Sequence, residues 1–336
     1  MKTAVVVPNW NGEDWLRECL DSLLSQSVPL TLIVVDNGSS DLSRNILTSY
    51  DEKIVTIQRE KNYGFTGGVN PGIEYAIENN FDAVALFNND AVAEKTWLEE
   101  LQKELRGDVG IVTCSLQTFD KKMIDSTGDQ MTVWGLPYPR GRHTPVENAP
   151  KEPEYIFGAS GGATLYSVPM LREIGIFDDD FFAYYEDVDL SYRAQLAGWK
   201  VKINPASIAY HRINATSNRM PSGFRVYQTF KNMPMVNKKN TPKGLRHIVY
   251  PRFALAYASF FFAALFRGQG WSAFRGFCKF IALSPKKARE RHHIQANKKV
   301  DAHYIFSIMT HDLPENSDKL RKLRSSWWIL TMKNKR

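Results

Sequence analysis

Four short apolar runs recur early in the chain, at residues 3–7 (TAVVV), 30–35 (LTLIVV), 54–58 (IVTIQ) and 83–87 (AVALF). They are rich in β-branched residues and too short for a core helix, so each reads as a strand. The first, second and fourth carry almost no polar residue, which fits strands covered on both faces. Between them, Trp15, Leu16, Cys19, Leu20, Leu23 and Leu24 recur at helical spacing, and residues 43–50 and 73–79 read as shorter helices. Buried strands alternating with helices restrict the fold to an α/β class with a mostly parallel sheet. Such sheets bind ligands beyond the carboxyl ends of their strands. Asp36, in Asp36-Asn37-Gly38-Ser39-Ser40-Asp41, and Asp90, in Asn88-Asn89-Asp90, both fall there.

The pattern loosens from residue 109 to 166. Residues 136–153 contain five prolines and read as loop, and residues 155–166 carry Gly158, Gly161 and Gly162, where backbone can approach a ligand closely. An aromatic and acidic stretch, residues 177–190, then runs into a helix ending at Gly198, a strand at 200–203, and His211. A content of 43% hydrophobic and 24% charged residues excludes whole-chain disorder and collagen-like structure. Three cysteines, Cys19, Cys114 and Cys278, have no CxxC spacing, which excludes a disulfide framework or zinc knuckle and fits a reducing cytoplasm. The apolar residues 4–8 are too short for the core of a signal peptide, and no run of ~18 uninterrupted apolar residues predicts an ordinary membrane span.

Charge divides the chain unevenly. From His211 onward there are 25 Lys and Arg against 5 Asp and Glu, a balance of +20; before it there are 18 against 31, a balance of −13. Residues 253–266 are fourteen residues without charge between Arg252 and Arg267, followed by Trp271, Phe274, Phe277 and Ile281 interleaved with Arg275 and Lys279. Fourteen helical residues span ~21 Å, short of the ~30 Å hydrocarbon core. The segment therefore reads as a buried helix, an interfacial helix or part of a re-entrant hairpin. With Lys286-Lys287, Lys298-Lys299 and Trp327-Trp328, this third suits an anionic membrane surface. The plainer alternative is a basic helix packed on the acidic part; a nucleic-acid-binding module is a third reading.

Four constellations carry candidate chemistry. A carboxylate at Asp36 accepts a hydrogen bond from the imide N–H of uracil or thymine, though a strand-end Asp equally caps a turn. The glycine loop of residues 62–72 lets backbone N–H groups approach a ribose or diphosphate; a tight turn before a helix is the alternative reading. Asn88-Asn89-Asp90 offers one carboxylate to a hard cation, so a second ligand comes from elsewhere, with His211 the candidate. In Glu186-Asp187-x-Asp189 a half-buried carboxylate serves as general base, while an acidic helix N-terminus is the alternative. That alternative fits Asp189, which has Arg193 four residues on.

Together these motifs resemble family 2 glycosyltransferases of the GT-A fold, in particular bacterial rhamnosyltransferase-like members. The matching pieces are Val5-Val6-Val7-Pro8-Asn9-Trp10-Asn11-Gly12, Val34-Val35-Asp36-Asn37-Gly38, Asn62-x-Gly64-Phe65-x-x-Gly68-x-Asn70, Phe87-Asn88-Asn89-Asp90, and Tyr184-Tyr185-Glu186-Asp187-Val188-Asp189 with Arg193, Gly198-Trp199 and His211. The resemblance covers roughly residues 1–215. It implies a mixed, mostly parallel sheet flanked by helices, with a catalytic domain at 1–220; beyond the resemblance, charge and aromatic pattern predict a basic, aromatic-rich helical extension at 221–336 for membrane and/or acceptor association. The resemblance implies a hexosyl-type inverting glycosyltransferase with a nucleotide-sugar donor and a divalent metal, Mg or Mn. By that resemblance Asp187 is the base with Glu186 beside it, and Asp90 and His211 hold the metal. Pro8, Asn9, Asn11, Asp36, Asn37, Gly67, Gly68, Asn70, Asn88 and Asn89 surround the donor, and Gly161, Gly162 and Tyr185 line the acceptor cleft.

Two features depart from the family pattern: Asn88 replaces the first acid of a full DxD, and Pro71 interrupts the glycine segment. The expected donor is dTDP-rhamnose, with a UDP-hexose or UDP-N-acetylhexosamine as alternative. The expected acceptor is a lipid-linked saccharide in cell-surface polysaccharide synthesis. The expected location is the cytoplasmic face of the membrane, as a peripheral protein without nucleic acid; a homodimer is left open. A non-catalytic nucleotide-sugar-binding assembly protein is the alternative from another class.

Overall fold

Alternation along the first strand, β1 (Thr3–Asn9), sends Val5 and Val7 to one face of the sheet and Ala4 and Val6 to the other. That period of two is the reason a sheet strand can serve two cores at once. On the first face, α1 (Leu16–Leu24) buries Leu16, Leu20 and Leu23 against Val5, Val7 and residues of β2 (Thr31–Asp36). Each such leucine, fully withdrawn from water, contributes about 2 kcal/mol. The chain continues through α2 (Ser43–Thr48) and the edge strand β3 (Val55–Gln58). It crosses to the other face as α3 (Gly64–Glu78), which packs Val69, Ile73 and Ala76 on Ala4, Val6 and Ile33. Next come β4 (Ala83–Phe87), β5 (Ala91–Ala93) and α4 (Trp97–Glu104), the last burying Trp97, Leu98 and Leu101 on the α1 side. Strands β1, β2, β3 and β4 are parallel, as their alternation with helices predicts.

The second half of the sheet is mixed. It contains β6 (Val109–Thr118), β7 (Ile124–Ser126), β10 (Glu154–Ile156), β11 (Ala163–Ser167) and β12 (Lys200–His211), while β8 (Asp129–Met131) and β9 (Pro137–Pro139) form a separate hairpin. The order is β10-β12-β6-β11-β4-β1-β2-β3, with β5 on β12 and β7 on β6. β11 runs antiparallel to both neighbours. Helices α5 (Val168–Ile174) and α6 (Glu186–Leu196) close the α3 face. The expected fold class, a mixed sheet flanked by helices with a helical C-terminal region, holds. This computed structural model describes residues 1–213, 220–314 and 321, so the expected Trp327-Trp328 lies outside the described residues.

Two local expectations are corrected. Residues 64–72 are not a loop but the opening turns of α3. A Cβ at Gly72 would meet Val6 Cγ1 at 2.5 Å, and one at Gly68 would meet Pro8 Cβ at 3.0 Å. These glycines let the helix lie close on β1, and Pro71 sits inside the helix rather than in a turn before it. The uncharged segment 253–266 is likewise the later part of a longer helix, α8 (Arg246–Phe266), of 21 residues.

After β12 the chain forms α7 (Phe224–Asn240), α8, α9 (Gly270–Ala296) and α10 (Ala302–Ile308). The expected boundary at 220 falls between β12 and α7, yet one hydrophobic cluster spans it. Phe181, Val188, Tyr192 and Leu196 pack with Met233, Val236, Val249 and Ile305.

Candidate active site

The carboxyl ends of β1, β2 and β4 meet above the sheet. There Asn89 Nδ2 donates to Asn9 Oδ1 at 2.8 Å, and Asn9 Nδ2 donates to Asp36 Oδ1 at 3.4 Å and Ser39 Oγ at 3.2 Å. Asp36 is fully buried, and its Oδ2 accepts from Arg44 Nε at 2.9 Å. Asn37 Nδ2 donates to Gly64 O at 2.8 Å, clamping the start of α3, and Asn11 Oδ1 accepts from Ser40 N at 2.8 Å. A cleft of about 440 Å³ opens beside these groups. Pro8, Asn9, Asn37, Asn88, Asn89, Asp90, Tyr185, Glu186 and His211 line it.

Asn11, Asp36, Gly67, Gly68, Asn70, Gly161, Gly162 and Asp187, expected at the site, are not among the residues that line the cleft. Asn70 Nδ2 donates to Phe177 O at 2.9 Å and Asp179 Oδ1 at 2.8 Å, tying α3 to the turn before α6. Gly162 O accepts from Asn88 N at 2.9 Å, and a Cβ on Gly161 would meet Phe65 at 3.0 Å.

Strand register brings Asp90 and His211 together: His211 pairs with Ala91 across β5 and β12. His211 Nε2 lies 3.0 Å from Asp90 Oδ1, and its Nδ1 lies 2.8 Å from Asp125 Oδ2. Arg142 Nη2 is in turn 2.7 Å from Asp125 Oδ1. Burial disfavours the imidazolium, but hydrogen bonds to Asp125 and Asp90 outweigh it and hold the pKa at about 9. With no cation at Nε2 both ring nitrogens donate at neutral pH; a cation bound there would take the place of the Nε2 proton. Asp125 and Arg142 were not legible as site residues. Asp125 is one acid in a short strand and Arg142 lies in a proline-rich loop, and only tertiary pairing with β6 carries them to His211.

The second acidic group sits at the start of α6. Asp187 is half-buried; its Oδ2 accepts from Gly161 N at 3.1 Å and its Oδ1 from Val188 N at 2.8 Å. Glu186 is buried, and its Oε2 has no hydrogen-bond partner. Burial raises the proton affinity of both carboxyls, and for Glu186 the charge of Asp187 adds to it, pushing it well above the usual range. The two N–H donors keep Asp187 the more acidic of the pair. Buried Asp129 is raised in the same way, by burial and then by Asp187. Asp189 takes the structural role: its Oδ2 accepts from Arg193 Nε at 2.9 Å and Lys239 Nζ at 3.0 Å.

Two groups of acids offer cation ligands. Asp178, Asp180 and Glu290 bring carboxylate oxygens within 4.8 Å of one another. Lys287 Nζ, however, stands 2.6 Å from Asp178, 2.7 Å from Asp180 and 2.9 Å from Glu290, so an ammonium already neutralises that group. Asp90 with His211 Nε2, facing the cleft, presents one hard oxygen and one imidazole nitrogen. The Nδ1 contact to Asp125 is the arrangement that orients a metal-binding histidine. That donor set fits a divalent cation whose remaining positions are filled by a substrate.

The sequence pattern of glycosyl transferase family 2 matches residues 4–175, half of the chain. The chain belongs to glycosyl transferase family 2. It is an enzyme of the glycosyltransferase class, as the motifs predict. It is 23% identical over 265 residues to the low-salt glycan biosynthesis hexosyltransferase Agl10 of Haloferax volcanii, covering 75% of this chain and 80% of that one. Several other curated glycosyltransferases match over less than two thirds of their own length. Among solved structures, S. aureus TarS 1-349 in complex with UDP-GlcNAc superposes with a TM-score of 0.58 at 16% identity, over 92% of this chain and 90% of that one. The mannosyltransferase PcManGT of Pyrobaculum calidifontis, in complex with GDP-Man and Mn2+, gives 0.51 at 16% identity over 91% and 83%. At those identities the likeness establishes the shared GT-A fold.

Proposed function

We propose that the protein transfers a glycosyl group from a nucleotide-diphosphate sugar to a saccharide hydroxyl with inversion at the anomeric carbon. The observation that carries this reading is that the Asp90–His211–Asp125 chain and Glu186 line one cleft, with Asp187 next to Glu186 at the start of α6 and held by Gly161 N. A sugar hydroxyl is a poor nucleophile and needs a base as attack proceeds. Asp187 is that base: its carboxylate takes the acceptor O–H proton while the acceptor oxygen bonds to the anomeric carbon. The bond from that carbon to the diphosphate oxygen breaks, and its electron pair leaves with the diphosphate. Gly161 N–H and Val188 N–H hold the carboxylate in place for the transfer. Burial and the charge of Asp187 favour the protonated form of Glu186, which adds no second negative charge. Asp90 and His211 Nε2 would hold a divalent cation, which when bound neutralises charge on the leaving diphosphate. Asn9 and Asn37 would face the nucleoside, with buried Asp36 hydrogen-bonded to Asn9.

The donor proposed is dTDP-rhamnose, on the motif resemblance. A UDP-N-acetylhexosamine is the second reading, supported by the fold likeness to a structure bound to UDP-GlcNAc. The acceptor proposed is a lipid-linked saccharide, with residues 1–220 as the catalytic part. Residues 221–336 would hold it as a peripheral protein at the inner face of the membrane. A donor panel tests this: thermal shift and nucleotide release with dTDP-rhamnose and several UDP-sugars, with and without Mn or Mg. One donor should stabilise the protein selectively and more strongly with metal. No response to any donor contradicts the reading.

A further inference from the structure

The helices after β12 leave one apolar face uncovered. Phe266 is 92% exposed and Trp271 70%, with Phe262, Leu265 and Phe274 also exposed around the turn joining α8 to α9 and Ile281 exposed further along α9. Trp271 and Phe274 stack on each other with centroids 5.7 Å apart. Single exposed apolar residues are ordinary; a contiguous group of large ones at the tip of a helical hairpin is not.

Charge identifies what covers this face. No Asp or Glu occurs between Asp189 and Glu290. Arg252, Arg267, Arg275 and Lys279, on or beside the two helices, are all exposed. Large aromatics ringed by arginine and lysine, with no acid among them, complement the interface of an anionic bilayer. An acidic soluble partner would have no use for Phe262, Leu265 and Phe266.

By length and composition Lys243–Phe266 suffices to cross a membrane, an 18-residue stretch of it having a mean hydropathy of 1.5. The other face of α8, however, is committed to the protein. Ala256 and Ala264 are buried, and Tyr257 Oη donates to Phe230 O at 2.7 Å. The hairpin tip can therefore dip into the interface, while the helix stays on α7.

The same contacts set the orientation of the cleft. A Cβ on Gly223 would collide with Ser272, and one on Gly276 would collide with Tyr227 O. The start of α9 thus abuts the start of α7, whose Phe224, Arg225 and Thr229 line the cleft. We infer that the α8–α9 tip is an interfacial membrane anchor that seats the molecule on an anionic bilayer with its cleft mouth beside the lipid surface. This deepens the proposed function and rests on it in one respect: an acceptor anchored in that bilayer would reach Asp187 from the α7 side.

The test uses the full chain and vesicles of phosphatidylethanolamine with phosphatidylglycerol, against phosphatidylcholine alone. Cys278 is exposed and Cys19 and Cys114 are buried, so a polarity-sensitive dye on Cys278 reports from the anchor itself. The protein should float with the anionic vesicles, the dye should shift to the blue, and neutral vesicles should bind less. Phe266→Ser with Trp271→Ser, both at exposed positions, should cut partitioning about tenfold or more, because two large apolar groups no longer leave water. The donor-induced thermal shift should be unchanged. Three results would overturn the inference: no flotation of the parent protein, equal flotation of the double variant, or a dimer that the double variant splits while neither protein binds vesicles. A missing donor response with intact flotation would count against the cleft reading and leave the anchor standing.

Discussion

Asp187 and Glu186 are adjacent carboxyls with different tasks, and their surroundings separate them. Asp187 takes two backbone N–H donors, whereas Glu186 Oε2 takes none. Below the ordinary carboxyl pKa of about 4, Glu186 is protonated whether the chain is folded or not, so its raised pKa is without effect. Above it the unfolded chain releases that proton and the folded chain keeps it. Stability then falls by about 1.4 kcal/mol per pH unit until the folded pKa is passed. Glu186→Gln should therefore stabilise the protein at pH 7, and the gain should vanish near pH 4; denaturant midpoints at the two pH values check it. The acids themselves were legible, because a cluster of carboxylates after aromatic residues stands out in sequence. Their division of roles was not, since it depends on which backbone N–H each oxygen meets. The same holds around His211: its pairing with Asp90 was expected, but Asp125 and Arg142 arrive only through strand pairing.

The element that presents these acids is strained. Phe182, Tyr184 and Tyr185 have φ of +65°, +69° and +72°, values that cost a non-glycine residue about 1–2 kcal/mol each. Helix α7 holds them there. Asn232 Nδ2 lies 3.0, 2.9 and 2.7 Å from the carbonyls of Phe181, Ala183 and Tyr184, and Lys231 Nζ donates to Asp180 O at 2.8 Å and Phe181 O at 3.1 Å. Asn232→Ala removes the Nδ2 donor from the half-buried carbonyls of Ala183 and Tyr184, while Phe181 O keeps Lys231 Nζ, and should cost about 1–3 kcal/mol of stability. Because the loop sets Asp187, it should lower kcat more than it raises the donor KM; steady-state kinetics with varied donor separate the two. The parallel strands and the first helices were legible, because their periodicity is strong. The opening of α3 was not: glycines that serve close helix–strand packing look the same in sequence as glycines that approach a phosphate.

At the scale of the whole molecule, the basic C-terminal third divides its charge between two surfaces. Lys239 and Lys287, both buried, meet Asp178, Asp180 and Asp189 and fasten α7 and α9 to the acidic part. Arg252, Arg267, Arg275 and Lys279 remain exposed around the α8–α9 tip. The charge asymmetry was plain in the sequence, but both of its readings apply, each to different residues. The shared cluster of Phe181 and Tyr192 with Met233 and Ile305 also means that removing residues 221–336 would expose core, so point variants are the sound probes. Proton removal by Asp187 beside a donor cleft is the central step. Its most direct test is to measure donor affinity and turnover together for the parent protein, Asp187→Asn and Glu186→Gln. Asp187→Asn should lose turnover by ~100-fold or more, the scale of general-base catalysis, with donor Kd little changed and Glu186→Gln less affected. Turnover that survives Asp187→Asn, or that is lost only in Glu186→Gln, would contradict it.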